Sequence, residues 1–245
     1  MYSPAASTAP AIRSADDAAC APALLGEAAV LIWNDVATEG RAQFYDWHDK
    51  EHIPERLAIP GFRRGRRYAR PGHSPEWLTL YEARDIGVLT SPDYLTRLNT
   101  PTSRTRATLP HFRRTSRAVC RVACTQGSSS GGHLLALRVD GDAAAEEAFV
   151  NHLATEAFPR ALGRTGIVAC HLFTSDRGGS FVDTAESRTR QFDVPAWVIL
   201  VEATTAAAAE AARGHIDALA VRELAVRLRD DGAVYTLEIC RLGHA

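Results

Sequence analysis

The sequence predicts an α+β fold built from two similar units on one chain. Three observations lead there. Strand-type alternation and helix-type periodicity run in the order β-α-β-β-α-β, and then run in that order again. A shift of 105 positions lays Glu51 on Glu156, Pro54 on Pro159, Leu57 on Leu162 and Gly61 on Gly166, as an internal repeat would. The 245 residues, 46% of them apolar, suffice for a sizeable buried core and for two domains.

In the first unit, residues 29–36 (AVLIWNDV) read as a strand and 41–57 as an amphipathic helix, stopped by Ile59-Pro60-Gly61. Strands are expected over 62–69 and 77–83, around the turn-rich RPGHSPE, followed by a short helix over 92–98 and a strand near 112–122. TQGSSSGG then reads as a flexible linker. The second unit repeats the order with strand 134–139, helix 143–162, strands 166–174 and 197–203, an alanine-rich helix 206–229 and strand 233–241. A polar insertion over 176–193 interrupts its central hairpin. The expected boundaries are a flexible extension over 1–26, an N-terminal domain over 27–124, a linker over 125–132 and a C-terminal domain over 133–245. This is the split βαβ, ferredoxin-like pattern. Such a sheet carries helices on one face only, and its bare face needs a cover. Two antiparallel sheets packed face to face supply it, so the expected architecture is an intrachain α+β barrel, a covalent pseudo-dimer.

A formal net charge of −1 gives no global field to draw the molecule to nucleic acid or to a membrane. The sum hides a split: 17 basic and 13 acidic residues up to position 122, then 11 and 16 after it. Of the 28 basic residues, all but Lys50 are arginine, which together with the abundant alanine fits a GC-rich genome. Five scattered cysteines without a C-x-x-C read as buried free thiols. Residues 1–26 have no basic start with an unbroken apolar run, so a loose extension is expected there and not a secretion signal. No run approaches the roughly 20 apolar residues of a membrane span. A cytoplasmic protein is the expectation.

The densest chemistry is the stretch FYDWHDKEHIPERL, residues 44–57. Helical spacing places Phe44, Trp47, His48, Glu51, His52 and Glu55 on one face. Phe44 and Trp47 belong in a core, so His48 and Glu51 are carried inward with them. An inward polar group costs about 1–3 kcal/mol unless hydrogen-bonded. Three readings compete. His48-x-x-Glu51-His52 fits the inverted zinc-protease spacing, but no Asp or Glu occurs between Asp93 and Asp140 to supply a third ligand. Acid/base chemistry at His48 or His52, oriented by Glu51, is the second. A structural cluster tying helix to sheet is the third. Five arginines follow within residues 63–70, but alternation sends Arg64, Arg66 and Tyr68 to one face and Arg63 and Arg67 to the other. That is no flat patch for nucleic acid. Most of these arginines are expected to pair with carboxylates; Arg66 is expected to touch a ligand, with Tyr68, Trp77 and Tyr81 as core or pocket wall. The second unit reads His152-Leu153-Ala154-Thr155-Glu156-Ala157 where the first has its His/Glu motif, so any site belongs to the N-terminal half.

At Trp47-His48, Glu51-His52-Ile53-Pro54-Glu55-Arg56, Ile59-Pro60-Gly61-Phe62, Arg67-Tyr68 and Leu80-Tyr81-Glu82 the chain resembles the dimeric α+β barrel superfamily, with its EthD-like and stress-responsive members. The resemblance covers about residues 28–122, and 132–242 only as topology. It implies a pocket between sheet and helices. Relatives include cofactor-free monooxygenases, polyketide cyclases, lactone isomerases and haem enzymes, so it does not select a chemistry. The expectation is a cofactor-independent enzyme of isomerase, cyclase, lyase or monooxygenase type, acting on a small aromatic or polyketide-like acid or ketone. His48 would be the acid/base, Glu51 its orienting partner, His52 a secondary donor, and Arg66 or Tyr81 an oxyanion contact. The alternative is a non-catalytic small-molecule binding or stress-associated protein. No cofactor is expected, with haem or a divalent metal as the lesser options; no nucleic-acid or membrane partner is expected, and the pseudo-dimer does not forbid a further homodimer.

Overall fold

The computed structural model describes residues 12–13, 23–180, 184–185, 193–224, 226–230 and 232–244. Eight strands carry the fold: β1 (Ala28–Val36), β2 (Phe62–Ala69), β3 (Trp77–Ala83), β4 (Phe112–Gln126), β5 (His133–Asp140), β6 (Ile167–Ser175), β7 (Trp197–Ala203) and β8 (Ala233–Leu242). Their order is β4-β1-β3-β2-β8-β5-β7-β6, and β6 pairs back onto β4, closing an antiparallel barrel. Within each half the order is fourth-first-third-second. The halves meet edge to edge at two seams, β2 with β8 and β4 with β6. The sheets are therefore one continuous wall whose inner faces meet across a shared core, and no long edge is left unpaired.

Alternation along the strands separates two kinds of core. Inward residues such as Leu31, Trp33, Leu78, Leu80, Leu200 and Tyr235 fill the barrel. Outward residues of each half pack under that half's helices, around Ile53 and Tyr81 in the first and Phe149 and Trp197 in the second.

The helix expected over 41–57 forms as α1 (Arg41–Trp47), one π-helical stretch (His48–His52) and α2 (Ile53–Leu57). The second half repeats this at the same 105-residue offset, with Glu146–His152, a π-helical Leu153–Ala157 and Phe158–Leu162. In both, the wide stretch lies just ahead of a proline, Pro54 or Pro159. Proline lacks the N–H for an i→i−4 bond and its ring crowds that carbonyl, and the wider turn relieves both. Gly61 and Gly166, 105 apart, both take positive φ (97° and 90°) as the chain leaves the helix for the strand.

Three expectations change. The stretch 125–132 is tied down: Thr125 and Gln126 are buried at the end of β4, and the Gly131 N–H donates to Glu202 at 2.9 Å. The long helix spans Ala206–Glu223 and stops short of 229, where Arg227–Leu228 pairs with the end of β5. Cys120, Cys124 and Cys170 are buried thiols as expected, but Cys240 is exposed. Most of the 1–26 extension and of the 176–193 insertion lies outside the described residues. Ile12–Arg13 is an exception, adding a short parallel strand beside Cys124–Thr125. Among the described residues, no helix is long and apolar enough to cross a membrane.

One end of the barrel interior holds charge. Arg66 Nη1 meets Glu202 at 2.8 Å across the two halves, and Arg66 Nη2 lies 3.0 Å from Glu82. Arg64 is bidentate on Glu82, and His171, fully buried, bridges Glu202 and Thr125. Burial alone would raise the Glu202 carboxyl, but Arg66 and His171 outweigh it and hold the pKa at about 2. Removing one member of such a set strands the others in low dielectric. Arg66→Met is therefore expected to lower stability by about 3–5 kcal/mol in urea unfolding. The double variant Arg66→Met/Glu202→Gln is expected to be more stable than the single one.

Candidate functional site

The site lies between the helix-facing side of the first half's sheet and the helical segment 41–57. The buried face of that segment is Phe44, Trp47, His48 and His52. His48 stacks on Phe44 with ring centroids 5.2 Å apart, and His52 stacks on Trp47 at 4.2 Å. Trp47 is fixed by donating Nε1–H to Thr105 Oγ1 at 3.1 Å.

Arg67, from β2, sets the state of His48. Its Nη1 is 2.9 Å from His48 Nδ1, and a guanidinium can only donate, so Nδ1 accepts and the ring proton of the neutral imidazole sits on Nε2. That N–H faces the Tyr81 hydroxyl at a long 3.5 Å. Arg67 is itself held by Glu238 (2.8 Å) and Asp49, with its guanidinium over the Tyr45 ring. Burial, with the charges of Arg67 and Arg56, pushes the His48 pKa well below its ordinary value. His48 is thus a neutral hydrogen-bond donor of fixed tautomer.

Beside it lies a cavity of about 30 Å³, measured as the volume open to the centre of a water molecule. It is lined by His48, His52, Phe44, Trp47 and Leu109 and by the sheet residues Ile32, Asn34, Thr79, Phe112 and Thr115. Asn34 Nδ2 and Thr115 Oγ1 are buried there without a hydrogen-bond partner. Thr115 reaches this face through a bulge. The β1–β4 register slips between Trp33 and Asp35, and Arg114 takes φ 50°, in the left-handed region. The extra residue lets Phe112 and Thr115, three apart, share one face.

Several expected roles change. Glu51 does not orient His48: it accepts from the Thr102 hydroxyl and pairs with Arg104 at 3.4 Å. Arg66 and Tyr68 are fully buried on the other side of the sheet, inside the barrel, and cannot touch a ligand in this cavity. The reason is a bulge in β2 between Phe62 and Arg64, which places Gly65 and Arg67 on the helix side. Gly65 is needed there, since a Cβ would stand 3.1 Å from the Tyr81 ring. Trp77 packs against Phe44 and under Arg41 without lining the cavity. Tyr81 meets His48 Nε2 at 3.5 Å and is not part of the cavity lining. His48 and His52 do line it. Sequence reasoning missed Arg67, Asn34, Thr79, Phe112 and Thr115; the alternation that puts Arg67 opposite Arg66 was the available signal.

The zinc reading fails, because His48 Nδ1 is occupied by a cation and Glu51 is turned away. Among the described residues, no group of three or more His, Cys, Asp or Glu is placed to hold a metal. Haem does not fit either. A ligand of that size needs several hundred Å³, against the room for about two waters here. Of the other buried histidines, His171 is engaged inside the barrel by Thr125 and Glu202.

No family model and no curated protein matches the sequence. Solved structures do match the fold. An anthrone oxidase-like protein superposes with a TM-score of 0.56 at 13% identity, covering 91% of this chain and 96% of its own. A chlorite dismutase from Candidatus Nitrospira defluvii gives 0.53 at 12%, covering 86% and 91%. A candidate monooxygenase from Fusobacterium nucleatum subsp. nucleatum gives 0.53 at 8%, covering 89% and 96%. At such identities the likeness is one of fold: a closed, eight-stranded antiparallel barrel with helices packed outside it.

The depressed pKa of His48 makes a prediction of definite sign. As pH falls below the unfolded-chain value of about 6.5, the unfolded state takes up the proton first. The contribution to stability is complete above that pH and is lost below it, by up to about 1.4 kcal/mol per pH unit. His48→Gln is expected to be less stable than wild type at pH 7.5, with a flatter fall in Tm between pH 7 and pH 5.

Proposed function

We propose that the protein is a small-molecule enzyme of the isomerase, cyclase, lyase or monooxygenase type, working on an aromatic or polyketide-like ketone or acid at the His48 cavity. One observation carries the reading. Two buried polar atoms, Asn34 Nδ2 and Thr115 Oγ1, lie without protein partners on the wall of a cavity that also holds the neutral His48. Stranded donors of this kind cost about 1–3 kcal/mol each unless a ligand or water meets them. Together they suit an oxygen that gains negative charge, such as the carbonyl of a ketone passing to its enolate. With His48 Nδ1 blocked by Arg67, the donor it offers is Nε2–H, which a ligand takes over from the long 3.5 Å contact with Tyr81; proton exchange with the ligand falls to His52. The cavity, with room for about two waters, takes only the oxygen-bearing end of such a molecule, and its rings would have to displace Phe44, Trp47 or Phe112 on the wall. The anthrone oxidase-like and monooxygenase neighbours support this class by fold. We also propose that the matched π-helical segments and glycines record a duplication, with the two halves over 27–124 and 133–245 standing for a dimer.

The test is incubation with a panel of aromatic ketones and acids, anthrone among them, under air. Binding is followed by quenching of tryptophan fluorescence and products by mass spectrometry. Asn34→Ala and His48→Gln are each expected to lower kcat/KM by about 10²-fold or more for any converted ligand. Binding that depends on Asn34 without any product would favour the binding-protein alternative. Turnover unaffected by both substitutions would refute the site.

A further inference from the structure

Next to the cavity, on the sheet beside its lining residue Ile32, lies a buried cation that does not itself line it. Arg117 lies on β4 two residues beyond Thr115, on the same helix-facing side, and its register partner on β1 is Ile32, a lining residue of the cavity. Arg117 is only 8% exposed. Its guanidinium donates to the Tyr94 hydroxyl at 3.1 Å and to the Gly179 carbonyl at 3.2 Å, while Nε has no partner. Among the described residues no carboxylate pairs with it. Arg64, Arg66 and Arg67 differ: Arg64 and Arg66 meet Glu82, Arg66 also meets Glu202, and Arg67 meets Asp49 and Glu238. A buried cation without a counter-ion is costly, and a fold that keeps one commonly supplies the anion from outside.

We infer that the ligand of this cleft is an acid, and that Arg117 is the specificity-determining residue that receives its carboxylate or an equivalent planar oxyanion. This rests on the His48 cavity being the ligand site. The charge of the cleft agrees: no carboxylate lines it, and unpartnered polar groups run along adjacent positions of β1 and β4 from Asn34 through Thr115 to Arg117. A carboxylate on Arg117 leaves the ligand's other end toward Thr115, Asn34 and His48, where the proposed chemistry would occur.

The experiment titrates the intact protein with two acids, acetate and benzoate, and with their uncharged amides, acetamide and benzamide, at constant ionic strength held with chloride. Tryptophan fluorescence and Tm are the readouts. Each acid is expected to bind at least tenfold more tightly than its amide. In Arg117→Gln the preference should disappear while weak amide binding survives; in Arg117→Lys part of the preference should remain, and this variant guards against loss through misfolding. Equal binding of acids and amides, or a preference that survives Arg117→Gln, overturns the acid subsite and leaves the cavity assignment standing. If amide binding is also insensitive to Asn34→Ala, or if no probe binds, the cavity assignment falls with it.

Discussion

Closure of the barrel is the constraint from which the other features follow. Each half is a four-stranded sheet with helices on one side, so by itself it would leave an apolar face and two strand edges in water. The two seams remove both exposures at once. Closure also brings Arg66 of one half against Glu202 of the other. That pair makes little net gain over an apolar core of the same shape. It does couple the halves, because each charge, though also met within its own half, keeps one of its partners across the seam.

The proposed site lies outside the barrel wall, in the layer under the helix, because the interior is filled. Two bulges decide what that layer contains. The one in β2 rotates Arg67 toward His48, and the one opposite Asn34 rotates Thr115 toward the cavity. Bulges commonly re-aim side chains next to functional sites. The second half has the same helix geometry, with Leu153 and Ala157 at the offsets of His48 and His52. Its helix-facing core closes on Phe149, Leu153 and Phe158. The two halves thus place different side chains on helical elements of the same kind and offset.

Much of the architecture was legible because it rests on local periodicity. The strand over 28–36 alternates between barrel and helix side as its apolar pattern requires, and the helix over 41–57 buries the face its spacing defines. His48 and His52 fall on that face for the same reason. The role of Glu51 was not legible. Spacing places it at the border of the buried stripe, and whether it turns toward His48 or toward Thr102 depends on where residues 102–108 come to rest, which no local pattern encodes. Arg66 was misassigned because simple alternation from Phe62 puts both on the helix side, and a single slipped residue reverses every side chain after it.

The sequence by itself determined the order of elements, the two-unit organisation of the pattern, the inward turn of the histidines and the confinement of the motif to the first half. These follow from periods of about 3.6 and 2 residues and from proline and glycine at fixed places, all short-range properties. The partners came from tertiary structure: Arg67 on His48, Arg66 on Glu202 and Glu51 on Thr102, with Arg117 left, among the described residues, without a carboxylate. Each of these pairings joins segments at least 18 residues apart. Whether a charge is met or stranded depends on which segments closure brings together, and that information lies in register and bulges spread over the whole barrel.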